Sequence, residues 1–524
     1  MPDLQPTHLP PAPEDASHAQ VVRRSADDHI DVGQGLADEQ IDQGPSADEQ
    51  SNEESSYARI YEDHRKKREF IPWWNARLQG TLPLALSARI PLEVFRLTID
   101  EMDPPTLTVA ALVCTAWYPR AMHNLYYTIV IRSRTSYNLL FKQCHASPRV
   151  KQWLASTCEL TVDEQWDPYR DVHMNNLKAQ EKGEDKDGSV ESPQRRNKSR
   201  SDKSFLQALP SALAGLMPRL RILRICNARL RFFRTDFFSA LSRFESVKSL
   251  TLSMCRLNNV TQLRRIVSAF PQLTNLTMEF IFFAQRGAAS YAGASLFGAP
   301  PHMRLRHLDV RVDDEHMVVF LDWMARSDLC TSLANLTIVS PYDFPTTQSS
   351  LNQLLKTAGA SLSRFCEGLY DEDDLTHGNL LQNTALQSLD FALHGTRYMP
   401  EDEGLRAAWT RAAGRLHGIL STVRSRQLEH IKFAVDVDAG DSILESEEPS
   451  AVLEKLNLRG LHEVMSQPFF DTLKDVNAEI HLYPGSHQTK SDVDGIIQKL
   501  QAMFHSILQP WSDRGIVTAT WRRI

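Results

Sequence analysis

Residues 247–257 read Val-Lys-Ser-Leu-Thr-Leu-Ser-Met-Cys-Arg-Leu, and this stretch decides how the chain folds. Val247, Leu250 and Leu252 are apolar, and the residues between Leu250 and its neighbours are polar. This alternation is typical of a β-strand that buries one face. Two further apolar residues, Cys255 and Leu257, follow at the same spacing. A single strand of this kind cannot bury its own apolar face, so the stretch predicts similar strands beside it.

The pattern Leu-x-x-Leu-x-apolar recurs along the chain. Its copies are Leu220/Leu223/Ile225, Val247/Leu250/Leu252, Leu273/Leu276/Met278, Leu305/Leu308/Val310, Leu333/Leu336/Ile338, Leu386/Leu389/Phe391 and Leu428/Ile431/Phe433. They start 27, 26, 32, 28, 53 and 42 residues apart, and the interval of 53 can hold a weaker unit around Leu362 and Phe365. Helix-forming stretches are predicted in the intervals at Phe237–Phe244, Leu263–Ala269, Met317–Met324, Leu351–Ala358 and Leu405–Val423.

One strand and one helix in each unit is the arrangement of leucine-rich repeats, whose units stack side by side. A full repeat also has Asn or Cys at its ninth position and an apolar residue at its eleventh. Only the unit with Cys255 and Leu257 meets both conditions, whereas the fourth unit has Asp313 and Glu315 there. We therefore expect an α/β fold in which residues 128–524 form an irregular, leucine-rich-repeat-like solenoid. Another layered α/β fold with the same alternation remains the alternative.

Two segments are too polar to fold on their own. Residues 1–80 are mostly acidic and polar, and they predict a disordered N-terminal tail with a possible short helix near its end, within 57–78. Residues 163–203 are charged and poor in apolar residues, and they predict a disordered insertion inside the repeat-like region.

A compact helical unit is predicted at residues 85–127. Pro91 suits the first turn of one helix, and Asp103 can cap a second helix that starts at Pro104. The second helix has five consecutive apolar residues, 110–114, and it is apolar on nearly all sides. Such a helix must be covered all round, and a unit of about 40 residues cannot cover it alone. Either the rest of the chain or a partner protein covers its second face.

The residues of this unit resemble the F-box family. Ile90-Pro91-x-Glu93-Val94, then Leu107, then Val113-Cys114-x-x-Trp117 follow the family's pattern, with Ile90 in place of the usual Leu. The layout of the chain resembles F-box proteins of mushroom-forming fungi, in which an F-box precedes a degenerate repeat domain. An ordinary helical cap on the following domain is the alternative.

The resemblance implies a three-helix F-box that binds the Skp-type adaptor of an SCF-type E3 ubiquitin ligase, and through that adaptor a cullin. The residues expected at this adaptor-binding surface, or supporting it, are Pro91, Leu92, Val94, Leu107, Val113 and Trp117. The repeat-like domain would then bind a target protein of unknown identity. A leucine-rich-repeat-like interaction scaffold with no role in ubiquitin transfer is the alternative function.

Other classes of function have little support in the sequence. The net charge of -7 argues against a general role in nucleic-acid binding, and no stretch is long and apolar enough to span a membrane. The seven cysteines form no C-x-x-C pair, which indicates buried thiols in a reducing compartment. We find no phosphate loop, nucleophile elbow or zinc helix, and we expect no catalytic residues, cofactor or metal. The expected location is therefore cytoplasmic, nuclear or both.

Overall fold

The computed structural model describes most of the chain from residue 91 onward. The described ranges are 91–113, 117–165, 204–285, 303–312, 315–340, 347–369, 377–393, 405–438, 453–454, 456–483 and 490–523. All of them belong to one compact unit, Ala88–Ile524. The predicted disordered tail, its possible short helix and nearly all of the predicted insertion lie outside the described residues.

Three short helices open the described chain: α1 (Leu92–Asp100), α2 (Pro104–Val113) and α3 (Tyr118–Tyr127). The predicted start of α2 is confirmed, because Asp103 accepts a hydrogen bond at Oδ1 from the backbone N–H of Thr106 at 3.1 Å. Pro104 follows as the first helical residue, where its missing N–H costs nothing.

The rest of the unit is built on one large parallel sheet. Its twelve strands are β1 (Thr128–Ile131), β2 (Glu159–Asp163), β3 (Ile222–Cys226), β4 (Ser249–Ser253), β6 (Asn275–Glu279), β8 (His307–Arg311), β9 (Asn335–Ser340), β10 (Arg364–Leu369), β11 (Ser388–Leu393), β12 (His430–Asp438), β13 (Asp475–Tyr483) and β14 (Val517–Arg523). Strands that are neighbours in this order pair in parallel, and β1 and β14 are the two edges of the sheet. Two short strands, β5 (Arg256–Leu257) and β7 (Phe282–Phe283), pair separately. The predicted α/β class is therefore confirmed.

Helices connect most of these parallel strands. They are α4 (Arg134–Ala146), α5 (Pro148–Leu154), α6 (Leu209–Leu213), α7 (Thr235–Leu241), α8 (Val260–Ser268), α9 (Glu315–Arg326), α10 (Thr347–Ala358), α11 (Leu405–Thr422), α12 (Arg459–Met465), α13 (Lys490–Ile507) and α14 (Gln509–Ser512). From α6 to α10, each helix contacts the next one along the chain. Their apolar faces join the buried face of the sheet in one continuous core.

The sequence pattern predicts a single helix at about 136–155, and this prediction is wrong. The structure has two helices there, α4 and α5, with Ser147 between them in an extended conformation. The physical reason is Pro148, which disfavours a helical conformation in the residue before it and offers no N–H to continue a helix.

The strands line up so that equivalent residues of the repeated pattern stand side by side. Leu223 pairs with Leu250, Leu250 with Leu276, and Leu308 with Leu336. The three apolar positions of each predicted unit are buried, and the first of them lies just before its strand. The weaker unit at Leu362 and Phe365 is strand β10, although the buried side chain at its third position is Glu367.

The turns that follow β3, β4 and β6 repeat one another. Asn227, Met254 and Phe280 have φ of 52°, 54° and 53°, and each comes directly after its strand. This left-handed conformation directs the next residue, the ninth of the unit, into the core. There the Cys255 thiol donates a hydrogen bond to the Ile225 carbonyl of the preceding unit at 3.4 Å. The eleventh positions, occupied by Leu257 and its equivalents, are buried as well.

A partly buried carboxyl group, that of Glu164, contacts residues that come after 166–203 in the chain. Glu164 follows β2, and the Ser204 hydroxyl donates a hydrogen bond to it, as does the Arg229 N–H at 3.4 Å. Burial nevertheless dominates, and it raises the pKa of Glu164 to about 7, while hydrogen bonds from the Arg229 and Leu206 backbone oppose the rise. The carboxyl group of Glu164 therefore stays protonated to a higher pH than that of an ordinary glutamate.

Replacing one buried residue of β4 should destabilise the protein far more than replacing its neighbour. Leu250→Ala removes a fully buried side chain, and we expect the free energy of unfolding to fall by about 2–5 kcal/mol. Thr251→Ala, on the opposite face of the same strand, should cost less than about 1 kcal/mol. Denaturant unfolding followed by circular dichroism measures both values, and equal losses would contradict the assigned faces.

Glu164 should make stability depend on pH near neutrality. Because its folded pKa is raised, its contribution is fully present below the ordinary pKa of 4.5 and is lost as pH rises through about 7. We expect the free energy of unfolding to fall by up to about 3 kcal/mol between pH 5 and pH 8, at 1.36 kcal/mol for each pKa unit. Denaturant unfolding of Glu164→Gln across the same range provides the control. A variant with the same pH dependence as the unmodified protein would show that Glu164 is not the source.

Candidate functional site

The helices α1 and α2 carry large apolar side chains that nothing in the described structure covers. Leu112 is 83% exposed and Leu97 is 67% exposed, and Val94, Val109 and Val113 are between 47% and 63% exposed. We call these five residues the exposed apolar face. Exposed apolar residues that share one side of a helix, as Val109, Leu112 and Val113 do on α2, usually mark a surface on which another molecule binds.

A small core of its own supports this face. Ile99, Leu107, Ala110, Ala111 and Ala121 are buried together, and they form a cluster separate from the main core of the sheet. Helix α2 therefore uses one side for this core and presents its other side to solvent. The pattern that is apolar nearly all round the helix is explained by these two different roles.

The six sequence-predicted residues divide between the surface and the interior. Val94 and Val113 belong to the exposed apolar face, and Pro91 is exposed directly before α1. Leu107 is buried, and the ring of partly buried Trp117 lies 5.5 Å from that of Phe95. The side chain of Leu92 lies outside the described residues.

Sequence reasoning did not single out Leu97, Val109 and Leu112 for this face. On α2, Val109 lies three residues before Leu112 and four residues before Val113. Neighbours at these spacings share one side of a helix, so the signal was present in the sequence. It was hidden because the buried and exposed sides of α2 are equally apolar.

A cluster of polar side chains joins α1 to α3: Asp100, the last residue of α1, contacts Arg120 and Asn124 of α3. Arg120 donates two hydrogen bonds to the Asp100 carboxylate, at 2.6 Å and 2.5 Å, and Asn124 donates a third at 2.8 Å. The Arg120 and Asn124 hydrogen bonds lower the pKa of Asp100 to about 2. The carboxylate therefore stays charged, and holds its partners, over the whole physiological range.

The helical unit is joined to the sheet without a loop. Helix α3 ends at Tyr127, and β1 begins at Thr128. The Thr157 hydroxyl and the Cys158 N–H donate hydrogen bonds to the carbonyls of Tyr126 and Tyr127, both at 2.9 Å. These contacts fix the end of α3 against the start of the second strand, so the exposed apolar face has a defined orientation to the sheet.

The described residues show little that suggests a metal or catalytic centre. Within them, no group of three or more His, Cys, Asp or Glu side chains could hold a metal ion. Asp436 is buried, and its carboxylate oxygen Oδ1 lies 3.0 Å from Nδ1 of His481. This hydrogen bond within the fold accounts for the buried acidic residue. Asp313, the ninth position of the fourth unit, lies outside the described residues, as do Asp314 and the acidic residues 371–374.

Six of the seven cysteines are described, and all six are free thiols. Cys144, Cys255 and Cys330 are buried, as the sequence predicts, whereas the other three are partly exposed. Burial raises the pKa of the Cys330 thiol to about 12, so this group is protonated and unreactive at neutral pH.

Comparison with known proteins gives no family for this chain. No model of a known protein family matches it, and no curated protein matches it significantly. Within the described residues, no helix is long and apolar enough to cross a membrane.

Loss of the Asp100 charge should loosen the three helices without unfolding the sheet. Asp100→Asn removes the charge that Arg120 binds, and we expect it to cost about 1 kcal/mol, because the pair is largely exposed. Hydrogen exchange of the α1–α3 backbone at pH 7 should then be about fivefold faster. Because the pKa of Asp100 is lowered, this stabilisation is present above its ordinary pKa and is lost as pH falls through about 2.

Glu101→Gln is the matched control for this experiment. Glu101 is the next residue in the chain and is exposed. Its replacement by Gln removes the same negative charge as Asp100→Asn does. Equal acceleration of exchange in both variants would show that the Asp100–Arg120 pair does not stabilise the unit.

Proposed function

We propose that this protein is the substrate receptor of an SCF-type E3 ubiquitin ligase. Residues 85–127 act as an F-box that binds a Skp-type adaptor, and the adaptor connects the receptor to a cullin. The exposed apolar face of α1 and α2 carries this proposal. It lies on the helices whose sequence resembles the F-box.

The alternative in which these helices are only a cap on the sheet makes a different prediction. A cap would bury the apolar residues of α1 and α2 against the following segment. Instead, Leu97, Val109 and Leu112 are mostly exposed, and the buried side of α2 packs inside the helical unit. The exposed side chains therefore favour a partner protein over an internal role.

We further propose that the sheet and its helices are a leucine-rich-repeat solenoid that receives the target. Three features support this: the strands follow chain order, every pair is parallel, and equivalent residues stand side by side. The buried ninth and eleventh positions, including Cys255 and Leu257, agree with the repeat pattern.

The proposed mechanism is proximity. The receptor holds a target near a ubiquitin-loaded enzyme and so raises the effective concentration of the target's lysines there. Catalysis belongs to other subunits of the ligase, which would act in the cytoplasm, the nucleus or both. The direct junction of α3 with β1 suits this role, because it gives the bound target a fixed direction relative to the adaptor.

The adaptor proposal is tested by placing a charge within the exposed apolar face. Val113→Asp changes a side chain that is 59% exposed, so the fold should remain intact. An unpaired carboxylate inside an apolar interface should weaken adaptor binding at least about thirtyfold, the loss typical of a hot-spot residue. Co-purification and calorimetric titration of the full chain with a purified Skp-type adaptor measure the affinity.

Val130→Asp is the matched control. Val130 on β1 is 46% exposed and lies outside the exposed apolar face, so this substitution should leave adaptor binding unchanged. Trp117→Ala is less informative, because Trp117 packs on Phe95 and its loss would disturb the fold itself. Full adaptor binding by folded Val113→Asp would contradict the proposal. Absence of binding by the unmodified protein would favour a repeat scaffold with no role in ubiquitin transfer.

A further inference from the structure

The last strand of the large sheet, β14, has one side along which no other described strand lies. It is an edge of the twelve-stranded sheet, and its neighbour there is β13. The strand has seven residues, none of them proline or glycine, and its register with β13 is unbroken. The opposite edge, β1, has only four residues. A long and regular edge strand presents a row of backbone donors and acceptors with which another chain can pair.

Alternate residues of β14 turn their backbone groups away from β13. The Ile516 carbonyl accepts a hydrogen bond from the Val476 N–H at 2.9 Å, so Ile516 and every second residue after it face β13. The Ala519 carbonyl faces the other way, because it accepts a hydrogen bond from the side chain of Gln501 on α13 at 2.9 Å. We call the residues of this second set the outer edge of β14. They are Val517, Ala519, Trp521 and Arg523.

The outer edge carries an aromatic side chain that the described residues cover only in part. Val517 and Ala519 pack against the main core. Trp521 belongs to the same row, since it pairs in register with the buried Ile480, yet it is 45% exposed. A further strand beside β14 would cover the outer side of this indole and bury much of its apolar surface. Backbone groups and an aromatic ring therefore stand open to a partner at the same edge.

The sequence of β14 is complementary to itself in the antiparallel direction. About a two-fold axis at Thr520, every outer-edge residue of one copy meets an outer-edge residue of the other. The pairs are Val517 with Arg523, Thr518 with Arg522, Ala519 with Trp521, and Thr520 with its own equivalent. The small Ala519 leaves room for the indole of Trp521, and paired threonines stabilise neighbouring strands. A shift of one copy by two residues would leave end residues unpaired.

The charges around β14 also favour a second copy in this direction. Arg522 and Arg523 lie at the end of the strand. The exposed Asp475 is the first residue of β13, and the exposed Asp513 lies four residues before β14 begins. Arg514, also near the start, donates hydrogen bonds to three backbone carbonyls of its own chain. Antiparallel pairing brings the arginines of each copy to the acidic end of the other, whereas parallel pairing would place like charges opposite one another.

We propose that β14 pairs in the antiparallel direction with β14 of a second copy of this chain, so that two sheets join into one. The contact is isologous and uses up the edge of both copies, so it closes at a dimer. Arg522 stays bound to Glu479 of its own chain, at 3.0 Å, on the neighbouring strand. This inference does not depend on a role in ubiquitin transfer. In the proposed receptor it would double every binding surface.

Sedimentation velocity of the full chain tests the proposal, at roughly 1 to 100 μM because a contact of this size is weak. We expect a dimer that dissociates on dilution. Ala519→Pro removes an outward N–H and leaves the hydrogen bonds to β13 in place, so it should weaken dimerisation at least about tenfold. Ala519→Ser keeps that N–H and should change dimerisation less than about threefold.

Thr520→Lys is a second variant that does not alter the backbone. It places two like charges directly opposite each other at the two-fold axis, and it should weaken dimerisation about fivefold. Thr251→Lys is its matched control, because it adds the same charge on a central strand, away from the edge. Circular dichroism and thermal unfolding of each variant establish that it is folded.

A cysteine at the axis tests the register itself. Facing residues of a non-hydrogen-bonded antiparallel pair have Cα atoms about 4.5 Å apart, which suits a disulfide. Oxidised glutathione should therefore link two copies of Thr520→Cys covalently. Thr251→Cys measures the background from the partly exposed native thiols, such as Cys158, and should give little linked dimer.

Three outcomes would overturn the inference. They are a monomer over the whole concentration range, a dimer that folded Ala519→Pro and Thr520→Lys both retain in full, and assemblies that grow beyond two copies. Growth beyond two copies would indicate pairing of unlike edges, which does not close. Val113→Asp should leave the dimer intact. Loss of the dimer in Val113→Asp would show that the copies associate through the exposed apolar face of α1 and α2.

Discussion

The structure depends on the burial of equivalent apolar side chains across neighbouring parallel strands. One strand with Leu250 and Leu252 on a single face cannot keep water from that face. Its neighbours provide the same residues at the same register, and the helices cover the row from the other side. This constraint explains why the strands follow chain order and why the opposite face of the sheet is left to polar residues. It also explains why a solvent-facing row such as Thr251 and its neighbours is free to carry function.

This burial of equivalent apolar side chains was also the feature of the fold that the sequence predicted best. The repeated apolar pattern predicted the strands of the large sheet from β3 to β12, because leucine at fixed spacing is a strong and simple signal. Two strands with buried residues at the same spacing escaped this pattern as repeats. One has Thr157, Leu160 and Val162, and the other has Leu473, Val476 and Ala478. Threonine, valine and alanine fill these positions as well as leucine does, but they do not mark a repeat in a single sequence.

The residues of the candidate site could be predicted only in part from the sequence, for a different reason. The sequence showed that both apolar sides of α2 had to be covered by other residues. It could not show which of the two sides packs in the small core. That choice depends on α3, since Ala121 completes the core beneath Leu107 and the Asp100–Arg120 pair fixes the helices in place. Residues such as Leu112 and Val113 became the outer side as a consequence. The wrong prediction of one long helix around Pro148 has a more local cause, because the apolar periodicity continued across a residue that breaks helices.

Two acidic side chains with little exposure, Glu164 and Glu367, accept hydrogen bonds from residues that lie later in the chain. Glu164 accepts hydrogen bonds from the Ser204 hydroxyl and from the backbone N–H of Arg229, two residues that come after 166–203 in the chain. Glu367 occupies a core position that is apolar in the neighbouring units, and it accepts hydrogen bonds from the Gly378 N–H at 3.2 Å and 3.4 Å. A carboxylate is suited to this task because its two oxygens can accept several backbone donors that would otherwise be buried without partners.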